Sequence, residues 1–160
     1  MRYDGAVRLA IHRLKYNGQR ALAEPLGDYL SSVAEDAGLT ADMIVPLPLH
    51  PRRLRQRGYN QSELLARRAG QRLGLPVARA AIRNRDTADQ IGLSRRQRQD
   101  NVRGAFACCD PDAVRGKRLL LIDDVCTTGS SLFACAAPLL RAGAGEVWGL
   151  AVARQDHERA

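Results

Sequence analysis

The chain has 160 residues, of which 45% are hydrophobic and 26% charged, a composition typical of a soluble globular protein with one domain or little more. No apolar run approaches the roughly 20 residues that a membrane helix needs, and residues 1–10 do not resemble a signal peptide, so we expect a cytoplasmic protein. The 25 lysines and arginines against 17 acidic residues give a net charge of +8, which favours an anionic partner such as phosphate or nucleic acid, although a GC-rich genome would also enrich arginine.

The first half of the chain is predicted to consist mainly of helices. Apolar residues recur at helical spacing in three segments, which lie at about 7–17, 22–37 and 65–73. Pro25 falls in the first turn of the second segment, and Gly38 and Gly74 are helix stops. The short apolar run 43–49 predicts a strand that enters a rigid, proline-containing loop. A polar, basic stretch follows at 50–61.

The second half alternates between strand and helix patterns. Strands are predicted at 77–82, 119–122 and 147–153, and helices at 94–102 and 132–140. We expect Pro138 to kink the last of these helices. Strand, helix and strand over this length form a βαβ unit and hence a parallel sheet. The expected fold is α/β, with a central, mainly parallel sheet flanked by helices. Residues 1–40 are expected to form an N-terminal helical segment that packs on an α/β domain of residues 41–160.

The four cysteines are predicted to be free thiols. They are Cys108, Cys109, Cys126 and Cys135. No C-x-x-C pair and no histidine at zinc-finger spacing accompany them. A helix N-terminus after Cys126 could lower the pKa of its thiol, but we expect a passive role for it.

The segment 119–131, Leu-Leu-Leu-Ile-Asp-Asp-Val-Cys-Thr-Thr-Gly-Ser-Ser, carries the strongest chemical signal in the sequence. Its four apolar residues predict a central strand, and open α/β sheets place their ligands at the carboxyl ends of such strands. Asp123 and Asp124 stand at this end, which we expect to face solvent. The loop that follows offers backbone N–H groups, hydroxyls and a helix N-terminus to a phosphate. Its residues are Thr127, Thr128, Gly129, Ser130 and Ser131.

The acid pair narrows the choice of ligand. Carboxylates repel phosphate, so beside such a loop they need another partner, such as sugar hydroxyls, a metal ion or a developing cation. A ribose with a 5-phosphate suits the whole segment, because its hydroxyls can contact the acid pair and its phosphate can bind the loop. The Walker A and G-x-G-x-x-G patterns are absent, which disfavours an ATPase or a Rossmann dehydrogenase. The plain alternative is a helix N-cap preceded by two acids in a turn.

A basic stretch after the strand at 43–49 is a candidate for polyphosphate contacts. It contains His50, Arg52, Arg53, Arg55 and Arg57. Clustered arginines at a strand end suit bidentate phosphate binding, although a solvated charged face would have the same composition. The same alternative applies more strongly to Arg95, Arg96 and Arg98.

The segment 119–131 resembles the motif of type I phosphoribosyltransferases that binds 5-phosphoribosyl 1-pyrophosphate (PRPP), apart from Cys126, where an aliphatic residue is usual. Matches to the ComF/GntX branch of that family cover nearly the whole chain in order. They are Lys15-Tyr16, Val45 to His50, Arg52, Arg57-Gly58-Tyr59-Asn60-Gln61, Thr87, Gln90, Leu93, Arg98, Asn101 and Phe106. The resemblance implies a type I phosphoribosyltransferase-like fold. Such proteins usually carry an N-terminal zinc module with paired cysteines, which this sequence lacks.

The resemblance also implies roles for particular residues. Asp123 and Asp124 are the catalytic pair and contact the ribose 2′- and 3′-hydroxyls, and the loop 127–131 binds the 5-phosphate. The implied pyrophosphate-binding residues are His50, Arg52, Arg53 and Arg57. Residues 84–104 are a flexible loop over the site, in which the matching residues are Gln90, Arg98 and Asn101. Mg²⁺ is the implied cofactor, held mainly through the ligand near the acid pair rather than by direct protein ligands.

Two functions of different kinds are compatible with this resemblance. In the first, the protein binds PRPP or a related phosphosugar or nucleotide with Mg²⁺, and as a phosphoribosyltransferase it would pass the phosphoribosyl group to an unidentified acceptor. In the second, it is a competence or DNA-uptake factor that binds single-stranded DNA or competence proteins, with a regulatory or vestigial PRPP site. The net charge of +8 suits nucleic acid, whereas the scarcity of aromatic residues disfavours base stacking.

Overall fold

A three-stranded parallel sheet organises the structure, a computed structural model that describes residues 1–86 and 100–155. Its strands are β1 (Met43–Pro46), β4 (Arg118–Cys126) and β5 (Glu146–Arg154), in the spatial order β1-β4-β5. Strand β4 is central, because it pairs in parallel with both of its neighbours. Two shorter strands, β2 (Ala81–Arg83) and β3 (Phe106–Cys108), form a separate antiparallel pair.

Helices connect and flank these strands. Within the described ranges they are α1 (Gly5–Tyr16), α2 (Ala23–Asp36), α3 (Pro51–Arg57), α4 (Gln61–Leu73), α5 (Pro111–Val114) and α6 (Ser130–Arg141), with a 3-10 turn at Arg20–Leu22. The helices predicted at 7–17, 22–37, 65–73 and 132–140 are therefore confirmed. Helix α6 continues through Pro138 to Arg141. Where the structure describes the chain, no helix is both long and apolar enough to cross a membrane.

Alternate side chains of β4 enter two different cores. Leu120 and Ile122 pack with residues of α1, α2 and α4. Leu119 and Leu121 pack on the other side, with residues of α6 and of strands β1, β2 and β3. Successive side chains of a strand point to opposite faces, so a run that is apolar throughout is buried on both faces. This layering confirms the predicted α/β fold with a mainly parallel sheet flanked by helices.

The N-terminal residues are part of the same packed body. Ile11, Leu14 and Leu30 lie in the cluster that covers one face of β4. The N–H of Tyr3 donates to the carbonyl of Arg154 at 2.9 Å, so the first residues follow the end of β5. The division into segments 1–40 and 41–160 stays a prediction.

The structure differs from the sequence-based elements in several places. The strand predicted at 77–82 is shorter, since β2 is only Ala81–Arg83, and most of the helix predicted at 94–102 lies outside the described residues. Strand β4 continues to Cys126, because its pairing with β5 extends past the acids, with Asp123 opposite Ala151. The stretch 50–61, predicted as a polar loop, contains helix α3, because Nδ1 of His50 accepts from the N–H of Arg52 at 3.3 Å and Pro51 begins the helix. Strand β3 and helix α5 were not predicted, since neither is long enough to show a hydrophobic period.

Candidate ribose-phosphate site

A cleft of about 370 Å³ opens at the carboxyl ends of β1 and β4. It brings together eight of the residues that the sequence singled out. These are Arg53, Arg57, Asp123, Asp124, Thr127, Gly129, Ser130 and Ser131. They come from α3 and from the continuous stretch formed by the end of β4, the loop after it and the start of α6, and α3 lies far from that stretch in the chain. The fold therefore places the acid pair, the hydroxyl-rich loop and two arginines around one space.

The acid pair is more buried than we expected. Asp123 is 8% exposed and Asp124 is 3% exposed, so the expectation of a solvent-facing strand end is wrong. The reason is that β4 continues past the acids and packs against α1 and α4. Ser62 Oγ donates to Asp123 Oδ1 at 3.2 Å, and the N–H of Asp124 donates to the same oxygen at 2.8 Å. Nζ of Lys15 lies 2.7 Å from Asp124 Oδ2.

Burial gives the acid pair unusual electrostatics. Desolvation, followed by repulsion from the charge of Asp124, raises the pKa of Asp123 to about 7, against the opposing effects of Lys15 and of its hydrogen bonds. Burial acts to lower the pKa of Lys15, but its ion pair with Asp124 outweighs this effect, and the net result is a raised pKa. At neutral pH Lys15 is therefore charged, and Asp123 can either hold or release a proton beside a ligand.

The loop 127–131 contains backbone N–H groups that are available to a ligand. Within the described residues, the backbone N–H groups of Thr127 and Thr128 make no hydrogen bond. Thr128 does not line the cleft, but its Oγ1 lies 2.5 Å from Ser130 Oγ, which does. Gly129 has a φ of 76°, a left-handed conformation that glycine adopts without strain. Two open amides in the loop just before the N-terminus of α6 are suited to an anion.

The Arg-Gly-Tyr-Asn-Gln string connects the elements around the cleft. Its arginine, Arg57, donates to Gln61 Oε1 and lies over the ring of Tyr16 at 5.2 Å. The Tyr59 hydroxyl donates to the carbonyl of Leu14, which ties the end of α1 to the start of α4.

Asn60 makes the third connection in this string. Its Oδ1 accepts from the N–H of Ser62 at 3.0 Å and caps α4, and its Nδ2 donates to the carbonyl of Leu47 at 3.0 Å. Since Ser62 in turn contacts Asp123, a continuous chain of hydrogen bonds joins the residues after β1 to the acid pair. The main role of the Arg-Gly-Tyr-Asn-Gln string is thus to hold the elements around the cleft in place.

The remaining predicted residues are placed differently. His50 and Arg52 do not line the cleft but contact Asp86, whose Oδ2 is 3.3 Å from Arg52 Nη1 and whose Oδ1 is 3.7 Å from His50 Nδ1. Asn101 accepts from Arg85 through its carbonyl at 2.8 Å. Gln90 and Arg98 lie outside the described residues.

Several cleft residues were missed or had no assigned role in the sequence. They are Tyr3, Lys15, Ser62, Arg83 and Gln155. Lys15 had a usable signal, because it follows the buried Ile11 by one helical turn and therefore belongs beside the buried face of α1. Tyr3 and Gln155 had none, since only the pairing of the N-terminal residues with the end of β5 brings them to the cleft.

Cys126 also lines the cleft, and the pKa of its thiol is raised and not lowered. Burial, and then the nearby charge of Asp123, raise the pKa of this thiol despite the opposing hydrogen bond from the Gly129 backbone. A thiol with a raised pKa is a poor nucleophile at neutral pH, which agrees with a passive role.

The surroundings of the acid pair decide whether it can hold Mg²⁺ directly. Carboxylate oxygens are the ligands that this ion prefers. However, Asp124 Oδ2 already carries the ammonium of Lys15 at 2.7 Å, and no group of three metal-binding side chains is assembled in the described ranges. These residues fit an ion that is held mainly by a ligand's own phosphate oxygens, near the acids rather than on them.

Comparisons with known proteins agree with this geometry. No family model matches the chain. It is 37% identical over 154 residues to DNA utilization protein YhgH from Escherichia coli O157:H7, a match that covers 91% of this chain and 67% of that protein. It is 32% identical over 158 residues to Competence protein F from Haemophilus influenzae, covering 93% of this chain and 69% of that protein.

The structural comparison identifies the fold. The chain superposes on glutamine PRPP amidotransferase from B. subtilis with a TM-score of 0.54 and 22% identity, over 80% of this chain and 26% of that one. Such a low identity shows the fold alone, and this fold is the type I phosphoribosyltransferase fold. The sequence relatives are similar over nearly all of this chain. The chain therefore belongs to the ComF family of competence and DNA-utilization proteins, which is built on the type I phosphoribosyltransferase fold.

Proposed function

We propose that this protein binds PRPP, or a related ribose 5-phosphate ligand, together with Mg²⁺ in the cleft at the ends of β1 and β4. One observation carries the proposal. Two carboxylates lie in the cleft, and three residues after Asp124 begins a loop whose first two amides have no hydrogen-bond partner in the described part of the chain. An acid pair next to open amides suits a ligand with hydroxyls at one end and a phosphate at the other.

Each part of the ligand then has its own partners. The 5-phosphate accepts hydrogen bonds from the amide of Thr127, which lines the cleft, and from the adjacent amide of Thr128, just before the N-terminus of α6. The ribose hydroxyls donate to the carboxylates of Asp123 and Asp124. A pyrophosphate group is bound by the guanidinium groups that line the cleft, which belong to Arg53, Arg57 and Arg83. Mg²⁺, when bound, neutralises part of the pyrophosphate charge.

Phosphoribosyl transfer is the reaction that this arrangement supports. The bond between C1 and the pyrophosphate oxygen breaks, pyrophosphate leaves with the electron pair, and an acceptor forms a new bond to C1. Positive charge develops on the ribose, and the nearby carboxylates stabilise it. The arginines stabilise the leaving pyrophosphate. The acceptor and the turnover itself are parts of the proposal that binding alone does not test.

Calorimetric titration of PRPP in the presence of Mg²⁺ tests the binding site. We expect the wild type to bind and Asp124→Asn to bind about tenfold more weakly or worse, since one charged hydrogen-bond acceptor is lost. Asp112→Asn is the matched control, because the Asp112 side chain is 91% exposed and does not line the cleft. Circular dichroism confirms that each variant is folded. Absence of binding by the wild type would remove the proposal.

A second candidate function is binding of single-stranded DNA. Its support is the net charge of +8 together with relatives that are named for competence and DNA utilization. The same titration separates the candidates when it is repeated with saturating oligothymidylate. If PRPP affinity is unchanged and the oligonucleotide binding weakens steeply with salt, DNA binds at a separate surface. Mutual competition would place both ligands in the cleft.

A further inference from the structure

We infer that Lys15 is a positioning residue of the ribose-binding acid pair. Its ammonium holds the Asp124 carboxylate in place and balances its charge, so ligand affinity depends on a side chain from α1, more than 100 residues before the acids. This inference rests on the proposed function, and it adds a residue that lies outside the segment 119–131.

The contact is short and shielded. Nζ of Lys15 lies 2.7 Å from Asp124 Oδ2, and the two side chains are 20% and 4% exposed. In such surroundings an ion pair is screened less by water and salt than it would be at the surface. Removing one partner therefore leaves the other as an uncompensated buried charge.

The lysine is held from both sides in the chain. The carbonyl of Leu14, the residue before it, accepts the hydrogen bond of the buried Tyr59 hydroxyl. The ring of Tyr16, the residue after it, lies under the guanidinium of Arg57 at 5.2 Å. The end of α1 is thus fixed against α3 and α4, which keeps the backbone of Lys15 beside the acid pair.

The type of cation is also informative. Of the chain's basic residues, only Lys15 and Lys117 are lysines. An ammonium is a compact point charge, whereas a guanidinium tends to bind both oxygens of a carboxylate at once. Because Lys15 approaches Oδ2, a lysine here leaves Oδ1 of Asp124 for a ribose hydroxyl.

Without Lys15, Asp123 and Asp124 would be buried side by side with no ammonium next to them to balance their charge. Burial and like charge both favour the protonated form of a carboxyl. The acid pair would then carry less negative charge at neutral pH, and the ribose hydroxyls would lose an acceptor. Raising the pH would ionise the pair again and restore part of the affinity.

The remaining charged or titratable groups around the acid pair are common to the wild type and to a Lys15 variant. They are Tyr3, Tyr16, Arg53, Arg57, Arg83, Cys126, Cys135 and Arg154. The arginines stay charged over the range pH 6 to 9, and burial raises the pKa of both thiols. A difference in PRPP affinity between the two pH profiles is therefore caused by the loss of Lys15.

The test is calorimetric titration of PRPP with Mg²⁺ into the wild type and Lys15→Met between about pH 6.5 and pH 9. We expect an affinity loss of about tenfold or more near pH 7 that shrinks towards pH 9. Lys117→Met is the matched control, because Lys117 is exposed and does not line the cleft. A loss of the same size at every pH, or no loss, would overturn the inference.

A double variant keeps the test valid if Lys15→Met is poorly folded. Lys15→Met combined with Asp124→Asn removes both charges, so no unpaired buried charge remains from this ion pair. We expect the lysine substitution to have little further effect on affinity in the Asp124→Asn background, and an additive loss would contradict the coupling. If the wild type itself fails to bind PRPP, the proposed function fails. If only the coupling is absent, the inference fails alone.

Discussion

Asp123→Asn is expected to make the protein more stable at pH 8 than the wild type, although it removes a carboxylate of the candidate site. Burial raises the pKa of Asp123 to about 7, from an ordinary value of 3.8. An asparagine keeps the oxygen that accepts from Ser62 Oγ and from the N–H of Asp124. It carries no charge, so it avoids the desolvation and the repulsion that the carboxylate experiences.

The sign of the pH dependence follows from proton binding. Between about pH 4 and pH 7 the folded wild type keeps the Asp123 proton, whereas the unfolded chain has already released it. Stability falls with rising pH wherever the folded state binds more protons. A change in pKa from 3.8 to about 7 corresponds to about 4 kcal/mol as an upper value. The pKa of Lys15 is raised from 10.5, so its titration lies outside this window.

Urea unfolding of the wild type and Asp123→Asn at pH 4.5 and pH 8 measures this effect. We expect the two proteins to differ little at pH 4.5 and the variant to be more stable at pH 8, by about 2–4 kcal/mol. Asp112→Asn again serves as the control, because it makes the same substitution at an exposed position outside the cleft. A variant that is less stable at pH 8, or a difference that does not change with pH, would refute this account of the acid pair.

Gly129→Ala is expected to weaken ribose 5-phosphate binding strongly, at a moderate cost in stability. Gly129 has a φ of 76°, and a Cβ there would lie 3.0 Å from Cε2 of Phe133. Phe133 is 76% exposed and can move, so the main cost is backbone strain of about 1–2 kcal/mol. Relief of that strain would shift the loop and its two open amides, and we expect affinity to fall by about tenfold or more.

Gly38→Ala separates loop distortion from general strain. Gly38 follows the end of α2 with a φ of 62°, and a Cβ there would meet nothing within 4 Å. It should therefore cost similar stability in urea unfolding and leave the Kd for ribose 5-phosphate unchanged. If Gly129→Ala binds as tightly as the wild type, or if Gly38→Ala loses as much affinity, the loop does not hold the phosphate in the proposed way.

The sequence was sufficient to predict the elements that carry strong local signals. The apolar run 119–122 indicated the central strand, because a strand covered on both faces is apolar throughout. The acid pair and the loop after it follow this strand directly, and open α/β sheets bind their ligands at the carboxyl ends of such strands. The helices followed from apolar periodicity, which depends on the buried faces that the structure shows.

Other features depend on contacts between distant residues and could not be read from one sequence. The burial of Asp123 follows from its pairing opposite Ala151 of β5. The ion pair of Lys15 with Asp124 requires α1 to pack at the end of β4. In each case tertiary packing decides a role that local chemistry leaves open.

A crystal structure of the protein soaked with ribose 5-phosphate tests the central claim most directly. We expect the phosphate within hydrogen-bonding distance of the backbone N–H groups of Thr127 and Thr128. The sugar hydroxyls should lie within the same reach of the Asp123 and Asp124 carboxylates. A phosphate bound elsewhere, with the loop amides left empty at full occupancy of the ligand, would contradict the account.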